Sequence, residues 1–183
     1  MTADSVPVKI PALFVGHGSP MNALEDNHFS RTWRALGATL PRPRAILCIS
    51  AHWQTPEPQV TAMDTPPTIH DFGGFPQPLF DVRYAAPGSP QWAARIAQLD
   101  ARHPIAADHA WGLDHGSWSV LCHMFPQADI PVLQLSLDIA KTPAEHYQFA
   151  RILAPLRDVG VLIIGSGTVV HNLRLVMWRD EAY

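Results

Sequence analysis

Short apolar runs bounded by Pro, Gly or Ser are the clearest pattern along the chain. The runs cover residues 12–15, 45–49, 132–137 and 161–164. Most of them are too short for a helix, which favours buried strands. Because these runs are almost continuously hydrophobic, they are typical of a parallel sheet that is covered on both faces. The pattern therefore predicts a central, mostly parallel sheet.

Apolar residues at helical spacing lie between these runs. Residues 29–40 and 91–99 each place large apolar side chains three or four positions apart, and a further helix is predicted to begin near Trp118. The capping box in residues 142–145, with Pro at the first helical position, predicts a helix that ends near Gly160. Strands that alternate with helices predict an α/β fold with helices on both faces of the sheet, in a single domain of 183 residues.

Residues 55–90 form a long stretch that is rich in Pro and Gly. The stretch has no sustained periodicity, although residues 59–62 and 81–84 have the composition of short strands. A loop of this length is uncommon in a compact domain and is often functional. His70 lies in it, within IHDFGGFP. Two interpretations of His70 stand side by side, one as part of a pocket wall and one as a residue that stabilises the loop.

Composition and charge exclude some classes of function. The net charge of −3 provides no basic excess to neutralise phosphates, so nucleic acid is not an expected partner. No apolar run approaches the roughly 20 residues of a membrane helix, and the first residues lack the pattern of a signal peptide. Cys48 and Cys122 lie in apolar stretches, which favours free, buried thiols. A cytoplasmic location is therefore expected.

Histidines follow the predicted strands at the ends where ligands bind in α/β folds. His17 follows the first strand directly, His52 follows the second after one residue, and His171 follows GSGTVV. His115 lies in a glycine-flanked stretch, GLDHGSW. Because the carboxyl ends of parallel strands meet at one edge, these imidazoles are expected to converge. Neutral imidazole is a good ligand for Zn(II) and Fe(II), so the pattern predicts a metal site at the strand C-terminal ends.

The other histidines favour ordinary structural roles, because an isolated histidine is more often a packed or surface residue than a ligand. His28, His123 and His146 lie on predicted helices, and His103 and His109 lie in a polar connection. No nucleophile motif competes with the metal site, since neither Ser19 nor Ser166 fits the G-x-S-x-G pattern.

Several motifs together indicate a family. The segments GHGSPMNAL, PRAILCISAHW, IHDFGGFP, RYAAPGSP, GLDHGSW and LIIGSGTVVHNLR occur in this order from about Pro11 onward. This set closely resembles the class III extradiol ring-cleaving dioxygenases, specifically their DOPA-dioxygenase-like branch. The resemblance implies one Fe(II) or Zn(II) per chain and the opening of a catechol-type ring with O2. The expected partners are thus a small aromatic diol and O2, and a homo-oligomer is compatible with the sequence.

The resemblance also implies roles for the four histidines. His17 and His52 correspond to metal ligands. His171 corresponds to a residue at the metal that serves as a ligand or as the acid–base group. His115 corresponds to a catalytic histidine that lies near the substrate, outside the ligand set. His146, in TPAEHY, receives no metal role because a capping box explains that motif.

Two alternatives remain open at this point. A Zn-dependent hydrolase would use histidines at strand ends and a glycine-rich pocket equally well. The second alternative is a truncated chain with an incomplete, inactive metal site, because members of the resembled family continue beyond MWRDEAY and carry a further metal-site residue there. Oxygen consumption with a catechol separates the dioxygenase from the hydrolase.

Overall fold

A four-stranded parallel sheet forms the centre of the fold. The computed structural model describes residues 9–168. The strands are β1 (Ala12–Gly16), β2 (Ala45–Ser50), β3 (Gln54–Thr55), β4 (Gln59–Thr61), β5 (Ala106–Asp108), β6 (Val132–Gln134), β7 (Leu137–Asp138) and β8 (Val161–Gly167). The central order is β1-β8-β2-β6, and every pairing in it is parallel. This confirms the predicted parallel α/β architecture.

Helices cover both faces of this sheet. They are α1 (His28–Thr39), α2 (Gln77–Phe80), α3 (Pro90–Ala97), α4 (His115–Met124) and α5 (Pro143–Leu153), with 3-10 helices at Pro20–Ala23 and Ala154–Val159. None of the helices within residues 9–168 combines the length and apolar character needed to cross a membrane.

Alternate residues of β2 show how the two faces are divided. Ile46 and Cys48 pack in one apolar cluster, together with residues of α1 and α4. Ala45 and Leu47 pack in a second cluster, together with residues of α3 and α5. Because successive side chains of a strand point to opposite faces, a continuous apolar run is what a doubly covered strand requires.

The capping box at the start of α5 forms as predicted. Thr142 Oγ1 accepts a hydrogen bond from the Glu145 backbone N–H at 3.3 Å, and Glu145 Oε2 accepts one from the Thr142 N–H at 2.8 Å. The helix continues as a 3-10 turn to Val159, and Gly160 ends it with a φ of 93°. A left-handed conformation at this position is the usual glycine C-terminal stop.

Three predicted elements differ from the structure. Residues 81–84 form no strand, because Tyr84 N–H donates to the Thr68 side chain instead of to a ladder. The run at 132–137 divides into β6 and β7, since the chain leaves β2 after Leu135 and pairs through Leu137 with β3. Helix α4 begins at His115 and not near Trp118, because Asp114 caps it.

Both cysteines are free, as predicted, and both are shielded. Burial raises the pKa of Cys122 to about 12 and raises the pKa of Cys48 well above its ordinary value. Since only the thiolate reacts, we expect iodoacetamide at pH 8 to label the folded protein more than about 100-fold more slowly than the urea-unfolded chain. Mass spectrometry of timed samples measures this difference. Labelling of Cys122 at the unfolded rate would contradict it.

Candidate metal centre

His17 stands immediately after β1 and is held from its Nδ1 side. The residue is buried, and its Nδ1 lies 2.9 Å from the Oγ of Ser166 on the neighbouring strand β8. Ser166 Oγ in turn donates to the carbonyl oxygen of Gly116. Because the single hydroxyl proton is used there, Ser166 Oγ accepts from the Nδ1–H of His17. This tautomer puts the ring's lone pair on Nε2.

The chain turns sharply after His17, and this turn fixes its backbone. Gly18 has a φ of 62°, a left-handed conformation that glycine adopts without strain. The turn brings Asn22 back, and its Nδ2 donates to the carbonyl oxygen of His17 at 3.0 Å.

His52 follows β2 and meets His17 through its ring. Its backbone N–H donates to Ser50 Oγ at 3.2 Å, and its Nε2 lies 3.0 Å from the Nε2 of His17. Gly116 allows helix α4 to approach this point, since a Cβ on it would lie 2.4 Å from Ser50 Oγ and 3.1 Å from the His52 ring. Only glycine fits there without displacing these groups.

His115 is the first residue of α4, and a carboxylate holds its ring. Asp71 Oδ1 accepts hydrogen bonds from both the backbone N–H and the Nδ1 of His115, each at 2.9 Å. A carboxylate oxygen only accepts, so the proton of this imidazole is on Nδ1 and the lone pair is on Nε2. The other oxygen of Asp71, Oδ2, lies 3.6 Å from Nδ1 of His52.

The three rings converge on one point at the carboxyl edge of the sheet. One ring nitrogen from each of His17, His52 and His115 lies within 4.8 Å of the other two. The ring centroids are 4.0 to 5.3 Å apart. Three of the four histidines named from the sequence thus meet as expected, and His171 lies outside the described residues 9–168.

The spacing of the nitrogens fits a bound cation. Two nitrogens that bind one ion at about 2.1 Å and at right angles are about 3.0 Å apart. The Nε2 atoms of His17 and His52 are separated by 3.0 Å. A bound cation would take the place of the contact that these two nitrogens make with each other.

A buried carboxylate fixes the helix that carries His115. Asp114 is fully buried, and its Oδ2 accepts a hydrogen bond from Gln134 Nε2 at 2.8 Å. Gln134 Oε1 accepts from the Asp114 backbone N–H at 2.7 Å and from Ser117 Oγ at 2.6 Å. Burial raises the pKa of Asp114, against the opposite effect of its hydrogen bonds. This network joins the first turn of α4 to the end of β6.

Asp71 is the site residue that the sequence analysis did not identify. Burial acts to raise the pKa of this carboxyl, but hydrogen bonds from His115 prevail and lower it below its ordinary value. The sequence offered one signal, an acidic residue beside His70 in a long loop rich in Pro and Gly. That signal does not specify which histidines the carboxylate contacts.

His70 itself contacts the loop and not the cluster. Its Nε2 lies 3.1 Å from the carbonyl oxygen of Val82, across the loop. Its ring packs against Phe72, Phe80 and Trp118, at centroid distances of 5.5 to 6.0 Å. These contacts support the interpretation of His70 as a residue that stabilises the loop.

An apolar cavity of about 360 Å³ lies elsewhere, between α5 and the sheet. Its lining includes Phe149, Leu153 and Ile163, and none of the three clustered histidines. His146 borders this cavity, with its Nδ1 3.2 Å from the Thr142 carbonyl oxygen. The cavity is therefore separate from the histidine cluster.

Comparison with known proteins identifies the family. Residues 11–178 match the family described as the catalytic LigB subunit of aromatic ring-opening dioxygenase. The chain belongs to the LigB family. The match covers the three clustered histidines and Asp71, so the LigB-family region includes the whole site described above.

Relatives of this chain include proteins named 4,5-DOPA dioxygenase extradiol. The one from Escherichia coli K12 is 58% identical over 175 residues, which are 95% of this chain and 65% of that protein. The one from Beta vulgaris is 46% identical and covers 86% of this chain and 61% of that protein. The chain therefore spans somewhat less than two thirds of the length of these relatives.

A solved structure shares the fold. A crystal structure of an uncharacterized Escherichia coli K12 protein superposes with a TM-score of 0.79 at 51% sequence identity. The likeness covers 94% of this chain and 65% of that one. It supports the parallel α/β architecture that the strand pattern predicts.

Proposed function

We propose that this protein is an extradiol dioxygenase that opens the ring of a catechol-type, DOPA-like substrate with O2. The observation that carries the proposal is the convergence of His17, His52 and His115 within 4.8 Å. The names of the relatives from Escherichia coli and Beta vulgaris support the reaction class. The hydrolase alternative is not favoured, because the family is one of aromatic ring-opening dioxygenases.

His17 and His52 are the proposed metal ligands, through their Nε2 atoms. Imidazole suits both Fe(II) and Zn(II), but Zn(II) has no redox chemistry, so we propose Fe(II) as the functional metal, one per chain. When bound, Fe(II) would supply Lewis acidity for the catechol and a route for electrons to O2. His171 remains the predicted further ligand or acid–base residue.

His115 is the proposed proton acceptor beside the metal. With Nδ1 donating to Asp71, its Nε2 carries the lone pair and can take a proton from a substrate hydroxyl. Asp71 would then stabilise the imidazolium, since its carboxylate lies 2.9 Å from Nδ1. Phe72 stands edge-on to the His115 ring at a centroid distance of 5.6 Å and provides an apolar wall at this position.

The cysteines and the fold bear on the cellular compartment and on the number of domains. Two free, shielded thiols support a reducing compartment, and we propose that the protein is cytoplasmic. The described helices and sheet support the proposal of a single catalytic domain.

Oxygen uptake tests the proposed function. Protein purified without oxygen is loaded with Fe(II), and its metal content is measured before DOPA and a panel of catechols are added. We expect uptake of one O2 per ring opened, with both atoms of ¹⁸O2 in a product that absorbs at longer wavelength than the catechol. Zn(II)-loaded protein serves as the matched control and is expected to show no uptake. Fe(II)-loaded protein without uptake for any catechol would overturn the proposal.

A further inference from the structure

Asp71 faces two histidines that come from different elements of the fold. It belongs to the long loop, whereas His52 follows β2 and His115 begins α4. Its Oδ1 is 2.9 Å from Nδ1 of His115, and its Oδ2 is 3.6 Å from Nδ1 of His52. The side chain is only 15% exposed. One shielded carboxylate therefore lies close to the Nδ1 atoms of two of the three clustered rings.

This geometry points to Asp71 as the positioning residue of the metal centre. We propose that it holds His115 in the Nδ1–H tautomer and orients both rings, so that the Nε2 of His52 faces the cation and the Nε2 of His115 faces the substrate beside it. The inference rests on the proposed function, because it assumes that the cluster binds a metal. Carboxylates that hold metal-site histidines in this way typically contribute about 10- to 100-fold to metal affinity.

The loop that carries Asp71 is itself anchored on both sides of it. Ile69, two residues earlier, donates its N–H to the Leu113 carbonyl oxygen at 2.7 Å and accepts from Trp118 Nε1 at 2.8 Å. Phe72, the next residue, packs against the His115 ring. Since a positioning group acts only if its own place is fixed, these contacts give Asp71 the rigidity that the role requires.

The buried carboxylate nearby has a different task. Asp114 accepts hydrogen bonds from Gln134 and from the Ser117 backbone N–H, and it caps α4. Asp114 thus fixes the backbone that carries His115, whereas Asp71 contacts the ring. The two acids are expected to give different results when each is changed.

Metal affinity of Asp71→Asn provides the first test. The substitution keeps the shape of the side chain but removes the charge and one acceptor oxygen. We expect Zn(II) and Co(II), measured by competition with a chelator, to bind about 10- to 100-fold more weakly than to wild type. Asp108→Asn is the matched control, because one oxygen of Asp108 likewise accepts two hydrogen bonds, from the backbone N–H groups of Ala110 and Trp111, outside the cluster. Its metal affinity is expected to equal that of wild type, and equal affinity in Asp71→Asn would overturn the inference.

The tautomer of His115 provides a second test, which a merely space-filling role would not affect. Long-range ¹H–¹⁵N NMR of the metal-free wild type is expected to show the His115 proton on Nδ1, with loss of this preference in Asp71→Asn. A proton on Nε2 in the wild type would overturn the inference even if the variant fails to fold. Neither test involves turnover. The catechol assay can therefore fail while the positioning role of Asp71 is confirmed, and that role can fail while ring opening is observed.

Discussion

Replacement of His17 or His52 with Ala is expected to lower the affinity for Fe(II) or Zn(II) by more than about 100-fold, because each change removes a proposed direct ligand. The Nε2 atoms of these residues are 3.0 Å apart, so neither can be lost without opening one side of the proposed coordination sphere. Elemental analysis after gel filtration measures metal retention. Circular dichroism is expected to show a fold close to wild type, since both residues stand beyond the ends of their strands.

His103→Ala is the control for this pair of variants. His103 is exposed and its Nδ1 pairs with Asp100 on the surface, at 3.2 Å. The control removes an imidazole of the same kind without touching the cluster, and it is expected to retain metal as wild type does. If both cluster variants retained a full equivalent of metal, the ligand assignment would be wrong.

The edge of the sheet that carries the site could be predicted from the sequence alone. Strands β2 and β8 are mainly apolar and largely buried, as a sheet covered on both faces requires, whereas the predicted buried strand β1 leaves Phe14 exposed. Once the strands are parallel, their carboxyl ends share an edge, so the positions of His17 and His52 follow from chain order. The apolar pattern of the strands and their parallel direction are thus sufficient to predict that His17 and His52 lie at the same edge of the sheet.

The contacts of Asp71 could not be predicted in the same way. Asp71 and His115 are 44 positions apart in the chain, and Asp71 lies in a loop without periodicity. Which histidines a loop carboxylate meets depends on how the loop is anchored, here through Ile69 and Trp118. Hydrophobic periodicity carries no information about such a contact.

The sequence pattern predicts the start of α4 too late in the chain, and the reason is local. Asp114 is a typical N-terminal cap, but the glycines on either side of Asp114 and His115 favour a loop. Gly116 is present because Ser50 and His52 pack against it, at distances that no side chain would tolerate. A close tertiary approach thus explains a glycine that the sequence pattern alone assigned to a turn.

Replacement of Trp118 with Ala is expected to lower the free energy of unfolding by about 3–5 kcal/mol. Trp118 is fully buried in the cluster on the α1 and α4 face, and its Nε1 donates to the Ile69 carbonyl oxygen at 2.8 Å. Urea unfolding followed by circular dichroism measures the loss, which corresponds to a midpoint about 2 M lower. Trp118→Phe, which keeps much of the apolar volume but removes the donor, is expected to lose less.

Trp92→Ala is the control for Trp118→Ala. It tests whether the loss of unfolding free energy depends on the burial of Trp118, since any tryptophan replaced with Ala loses a large side chain. Trp92 is only partly buried on α3, where the guanidinium groups of Arg44 and Arg95 lie over its ring. Its removal is expected to cost less than half as much as that of Trp118. Because Trp118 also anchors the loop two residues before Asp71, Trp118→Phe should weaken Zn(II) binding, whereas Trp92→Ala should not. Equal losses of unfolding free energy in the two Ala variants would contradict the assignment of the larger loss to the burial of Trp118. Unchanged Zn(II) binding in Trp118→Phe would contradict its role in anchoring the loop of Asp71.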